Sequence, residues 1–413
     1  MSADGPDRPE GETPEDEALE DEALEDEALE DEALEDERSG FWQAVAPRRI
    51  DLRSALLVPL LAVIAALGIG AIVIAVTEGP GEILTAYGAL GKGAFLGWRP
   101  FSETLTYATP VILAGLSVAI GFKAGLFNIG GEGQMIIGGF CAVVVGFSFE
   151  GLSPWLHVPL AVLAAIAGGA VWGGIPGWLR AKTGAHEVIT TIMFNWIAIR
   201  LLDYLLKTSF VRKVGELRPI SKEVLPSARL PRLLSWLPID NAGQLRVHLG
   251  FVLALVAAGF VWWLLAKTTI GFEFRSVGLN PDGARYAGMS VTRTTVAVMA
   301  VAGALAGLAG AGETLGTLGR ASPGFSGGAG FDAIALALLG RSHPVGVVLA
   351  GLLWGALRAG SRTMDAQSAV GIDLIVVVQA LIIVFIAAPA LVRAIFRVRT
   401  GEGVRQLTRG WGA

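Results

Sequence analysis

The chain has 413 residues, 53% hydrophobic and 17% charged, with 55 Gly, 11 Trp, a single Cys and a mean hydropathy of +0.58. Soluble domains carry about 25% charge and about 7% glycine, so this composition excludes an ordinary cytosolic enzyme, a disordered chain and a disulfide framework, and it points to lipid as the solvent. The net charge of −5 hides an asymmetry: residues 1–37 hold 19 of the 37 acids and one base, Arg8, which makes the tail −18 and the rest of the chain +13.

The first element, residues 1–40, is an acidic tail built on the repeat Glu-Asp-Glu-Ala-Leu, first seen from Glu15 to Leu19. Dense like charge repels itself, and one Leu in five residues makes no helical stripe, so the tail reads as disordered. It is not a secretory signal, whose first region is positive. Phe41, Trp42, Arg48, Arg49 and Arg53 follow as a membrane interface on the cytoplasmic side.

Apolar runs of about 20 residues then recur near 54–76, 103–122, 158–178, 247–266, 294–313 and 370–393, with less uniform ones at 133–149 and 188–206. The run 329–358 is interrupted by Gly340-Arg341-Ser342-His343-Pro344. As one span it would leave Arg393, Arg397, Arg399, Arg405 and Arg409 outside; as a hairpin of two short spans it keeps them inside, as the positive-inside rule prefers. The prediction is therefore an all-α polytopic membrane protein of about ten transmembrane helices, with both termini cytoplasmic. Lys123, Arg180, Lys182, Lys267, Arg275, Arg285 and Arg293 fall on the cytoplasmic side. The external loop 207–246 argues against this topology, with eight Lys/Arg against three acids, and its four prolines suggest a folded cap. Glycine clusters at 168–169, 173–174 and 303, 307, 310 predict close helix packing.

Three stretches carry polar groups that lipid would not tolerate idly. From Gly121 to Gln134 the chain links two spans with five glycines, Asn128 and Glu132, which either hold a broken helix, line a pore or satisfy local backbone. From Glu187 to Ala198, the residues Glu187, Thr190, Thr191 and Asn195 form one polar stripe, facing other helices or a channel. In the third, Asn280-Pro281-Asp282 reads as a helix start, with a short helix from 281 to 287 between two spans. No nucleotide-binding loop, metal-ligand spacing among His157, His186, His248 and His343, or nucleophile elbow occurs, so any energy source is an ion gradient or another chain.

Phe127 to Gln134, Glu187 to Ala198, Asn280 to Gly288, and Gly330 to Gly340 with Pro344 and Gly346 together resemble the permease subunits of bacterial ATP-binding-cassette importers of the ribose, branched-chain amino acid and nucleoside class. The nearest likeness is to the nucleoside-type permease that works with a basic-membrane-protein lipoprotein. It covers about residues 50–398, leaves the acidic tail unmatched, and has His186 where that group would place Asn.

The resemblance implies a permease domain over 41–398 with a cytoplasmic coupling segment at 271–293, followed by a basic cytoplasmic tail at 399–413. It implies no cofactor in this chain, with ATP-Mg on a partner ATPase, a second permease subunit, an extracellular substrate-binding lipoprotein, membrane lipids around the spans, no nucleic acid, and a bacterial cytoplasmic membrane. Asn128, Glu132 and Asn195 become candidates for the substrate pathway, with Phe194 and Trp196 as aromatic faces. Asn280, Pro281, Asp282, Arg285, Tyr286 and Gly288 become the ATPase-coupling helix. Nucleosides are the first substrate reading; simple sugars and branched-chain amino acids are alternatives. An ion-driven carrier using Asp332, Asp373 or Glu132 is the rival from another class.

Overall fold

In the computed structural model the described residues are 52–235, 238 and 242–387, with side chains described between Leu60 and Phe385. The acidic tail, the interface reading at Phe41 to Arg49 together with the Arg53 side chain, the arginines at 393 and 397, and the basic tail with its three arginines lie outside them. Among the described residues there are α-helices and no strands.

Within the described residues, every run read as a span folds into helix. The first six long helices are α1 (Leu52–Thr77), α3 (Trp98–Lys123), α4 (Gly131–Ser148), α5 (Pro154–Thr183), α6 (Glu187–Leu205) and α7 (Leu249–Lys267). After them come α8 (Thr269–Leu279), the short α9 (Pro281–Tyr286), α10 (Val291–Ala311), α11 (Ala329–Leu339), α12 (Pro344–Gln367) and α13 (Asp373–Ala387). Between α1 and α3 lies α2 (Glu82–Phe95), which the hydropathy reading passed over because Gly88, Gly91, Lys92 and Gly93 interrupt it.

Among the described residues, eight helices are long and apolar enough to cross a membrane, and α11 and part of α13 are shorter apolar helices. The expected hairpin of two short spans is thus one short helix and one full-length one. Gly340 ends α11, Arg341 and Ser342 reverse the chain at φ 53° and 52°, and Pro344 opens α12 at its first position.

Burial separates axis from periphery. The apolar stretch of α3 is 83% buried and that of α10 72%, against 22% for α5 and α6. The predicted glycine clusters explain how α5 still packs tightly on α10. Gly169 and Gly173 face Gly303 and Gly307, and a Cβ at Gly303 would lie 2.1 Å from the Gly169 carbonyl oxygen. Only glycine permits that approach, and close backbone packing replaces the hydrophobic drive that lipid removes.

The segment after α6 folds down on the ends of α4, α5 and α10. Leu225 N–H donates to Gly146 O at 2.9 Å, Val224 N–H to Gly319 O at 2.9 Å and Leu230 N–H to Leu315 O at 3.1 Å, while His157 of α5 meets Ser227 Oγ at 2.9 Å. Ser102 Oγ of α3 accepts from the N–H groups of Arg246 and Val247, both at 2.9 Å, and so fixes the entry to α7. There His248 caps the helix, its Nδ1 accepting from Gly250 N–H at 3.1 Å. Burial, with Arg246 and Arg232 nearby, lowers this imidazole to about 4, which keeps it a neutral acceptor.

Candidate functional site

A helix that begins inside an apolar environment has N–H groups that neither water nor its own carbonyls can satisfy. Both α4 and α11 begin this way, each with a glycine at the cap position and no side-chain cap of its own. Each is capped instead from another helix. Asn195 of α6 accepts from Gly133 N–H at 2.8 Å and donates to Ile129 O at 2.9 Å. Glu132 of α4 accepts from Gly330 N–H of α11 at 2.9 Å and from the hydroxyl of Ser326. The carboxylate therefore sits at two helix N-termini, where the aligned peptide dipoles favour negative charge.

Asn128 completes this junction. Its Oδ1 accepts from Gly130 N–H at 3.0 Å and Gln134 Nε2 at 3.1 Å, and its Nδ2 donates to Gln134 Oε1 at 3.0 Å. All three residues are buried, and the structure brings them together around the start of α4. The polar stripe on α6 divides accordingly. Glu187, Thr191 and Asn195 face inward four residues apart, and Glu187 pairs with Arg180. Phe194 lies edge-on to Trp172 of α5 at 5.3 Å, whereas Trp196 is exposed on the outer side of α6.

The second predicted constellation is a small projecting element. Asn280 caps α9 by accepting from Gly283 N–H at 2.8 Å, Pro281 occupies its first position, Asp282 and Arg285 pair at 3.2 Å, and Gly288 leaves it at φ 80°. Tyr286 is 94% exposed, so an aromatic ring stands free in front of a locally capped helix. Behind it, α8 touches the chain after α3: a Cβ at Gly278 would lie 2.5 Å from the Ala124 carbonyl carbon.

The bases of this end gather as the sequence implied. Arg275 and Arg341 both act electrostatically on Lys123, and Arg180 and Arg285 line one cleft of ≈ 380 Å³ with Ser290, Thr292 and Thr295. Burial and Lys123 together lower the nearby His343 imidazole.

A third cluster was not anticipated beyond Asp332. Arg358 is an exposed arginine in the apolar helix α12, and it acts electrostatically on Asp332 and on Glu313, which lies in the π-helical extension of α10 (Gly312–Leu318). Trp354 Nε1 donates to Asp332 Oδ2 at 3.1 Å. The signal that could have found this cluster is one charge in an otherwise apolar span, which hydropathy averaging suppresses. Asp373 is exposed at the start of α13, far along the chain from these groups.

Comparison with known proteins agrees with this architecture. The chain is 42% identical over 344 residues to the guanosine ABC transporter permease protein NupP of Bacillus subtilis, covering 82% of this chain and 95% of that protein. It is 38% identical to the glucose ABC transporter permease protein TsgB13 of Haloferax volcanii, over 79% of this chain and 86% of that one. The nucleoside ABC transporter permease protein NupB of Lactococcus lactis is 36% identical, over 80% of this chain and 90% of its own length. No solved structure matches the chain. The family model described as branched-chain amino acid transport system / permease component matches residues 101–387, from α3 to the end of α13, and the chain belongs to that family of membrane permeases.

Proposed function

We propose that the chain is the membrane-embedded half of an ATP-driven importer for nucleosides, set in a bacterial cytoplasmic membrane with both termini inside. The observation that carries this is the 42% identity extending over 95% of a guanosine permease. ATP hydrolysis then belongs to a separate ATPase docked beneath α9, with a second permease chain completing the path and an external lipoprotein delivering the solute. The basic end, with Lys123, Arg275, Arg285 and Arg341, faces the cytoplasm, as the positive-inside rule favours.

The mechanism is alternating access, in which ATPase closure pushes on a short rigid element and rocks packed helices. Asn280, Pro281, Asp282 and Gly288 make α9 rigid and self-contained; Tyr286 and Arg285 present the aromatic and guanidinium groups that commonly anchor interfaces. The close contact of Gly278 with Ala124 and Gly125 supports a route from α9 into the 125–130 connection, and so to the junction at Glu132. Asn128, Glu132 and Asn195 act on the pathway by holding the helices that wall it. Their hydrogen-bonding groups are directed at other parts of the chain, which supports a positioning role over direct contact with solute.

Glucose is the second reading, favoured by the 38% identity to a glucose permease. The test is uptake in proteoliposomes containing the chain, its ATPase, its partner permease and its lipoprotein. ATP-dependent accumulation of labelled guanosine, competed by uridine and not by glucose or leucine, is the expected result. Accumulation that follows an ion gradient without ATP, or preference for glucose, overturns it.

A further inference from the structure

The polar groups at the start of α4 are satisfied within the chain, and so is the half-exposed Arg246–Glu103 pair at 3.0 Å. Arg358 and Glu313 differ. Among the described residues neither side chain makes a hydrogen bond or an ion pair within 4 Å, although the charges of Arg246 and Arg358 both act on Glu313.

Their depth follows from helix geometry. Trp354 and Arg358 lie ten and fourteen residues beyond Pro344, or about 15 Å and about 21 Å along α12 at 1.5 Å per residue, within a hydrocarbon layer of about 30 Å. Asp332 reaches the same level, since Trp354 bonds to it. Glu313 lies somewhat nearer the end where α7 begins: Gly355 packs on Ala108 of α3, Gly312 packs beside Thr109, one residue along, and Thr109 also touches Gly250 in the first turn of α7.

The neighbours of Arg358 on α12, Leu357, Ala359 and Gly360, are buried, so the guanidinium is the group this turn presents outward. An ionised arginine facing hydrocarbon is costly, and such groups normally face a water-filled cavity or path. Glu313 sits in a π-helical turn, a distortion that recurs at functional sites. Phe331, half exposed beside Asp332, adds a flat apolar face at the same helix start.

We propose that Glu313, Asp332 and Arg358 form a seat within the membrane, toward the end where α7 begins, that hydrogen-bonds the polar edge of a neutral solute during its passage. Two carboxylates accept from N–H or O–H groups and a guanidinium donates to carbonyl or ring-nitrogen acceptors. That donor and acceptor pairing matches a nucleobase edge, with guanine, which carries adjacent N–H donors beside a carbonyl, as the best fit. This assignment of substrate rests on the nucleoside reading above.

The experiment uses the reconstituted four-component importer with Glu313→Gln, Asp332→Asn, Arg358→Gln and Arg358→Lys variants. Co-purification with the ATPase and partner permease and thermal stability are measured beside KM and turnover for guanosine and uridine. Assembly should be retained, KM for guanosine should rise at least 10-fold in Glu313→Gln and Arg358→Gln, the guanosine-to-uridine ratio should change, and Arg358→Lys should recover part of the loss. An unchanged ratio and KM in all four variants, or loss of assembly with uniformly reduced uptake, overturns the seat. If the wild type moves glucose and not guanosine, the nucleoside reading fails by itself, and the seat is judged by the same KM shift measured with glucose.

Discussion

Asp332 acts electrostatically on Glu132, yet the two belong to differently built regions. At Glu132 every strong group has a partner supplied by another segment: Gly330 N–H of α11, the Ser326 hydroxyl of the turn before it, and, one residue on, Asn195 of α6 against Gly133. At Asp332 one oxygen meets Trp354, while the Arg358 side chain that acts on it, and the Glu313 side chain that Arg358 also acts on, have no hydrogen-bond or ion-pair partner among the described residues. The first arrangement resembles a protein core, where a buried polar group is tolerated because its bonds are complete. The second resembles a binding surface. In a membrane protein, polarity alone does not separate scaffold from path; completeness of hydrogen bonding does.

The sharpest way to break this comparison is Glu132→Ala. It leaves Gly330 N–H and the Ser326 hydroxyl without their acceptor, at about 1–3 kcal/mol for each orphaned group. Thermal unfolding in detergent should fall by the largest margin of any substitution considered, and uptake of every solute should fall together. A selective change in solute preference with unchanged stability would place Glu132 in the path instead.

Asn195→Ala is the next largest. It removes a remote cap from α4, so a loss of about 1–2 kcal/mol is expected, with the guanosine-to-uridine ratio unaltered. A preserved melting temperature with altered preference would contradict this.

The His248 cap gives a smaller and pH-dependent effect. Its folded value of about 4 lies below the ordinary 6.5, so the unfolded chain binds the extra proton between those values and stability declines as pH falls through that window. Between pH 7.5 and 5.5 the loss is roughly 1 kcal/mol, and it should be absent from His248→Asn, so that it appears as the difference between the two proteins' melting temperatures followed against pH.

At the other limit, the double substitution Arg285→Ala and Tyr286→Ala should leave stability within about 0.5 kcal/mol, because both side chains are exposed. ATP hydrolysis should no longer be stimulated by solute. Retained stimulation with retained co-purification would remove these residues from the coupling surface.

Much of the fold was legible because it depends on local composition. Apolar runs marked each long helix, Asn280-Pro281 marked the start of α9, and glycine spacing marked where α5 and α10 meet. The boundaries of α11 were less legible. Its start depends on a carboxylate from α4, not on a cap residue beside it. The junction residues were also singled out from sequence, since Asn128, Glu132 and Asn195 are conspicuous among apolar neighbours. Arg358 escaped because one charge does not lower the average of an apolar span.

Sequence alone determined that the chain lives in lipid, where its helices run, and which polar residues demand an explanation, because hydropathy and caps act over a few neighbouring residues. Only the tertiary structure decided what those polar residues do. The partners that complete Glu132 and Asn195 lie 198 and 62 residues away, and the lack of a side-chain partner for Arg358 among the described residues is likewise a property of assembled helices. Desolvation makes every such group choose between an internal bond and a watery face, and that choice is made only when distant segments pack.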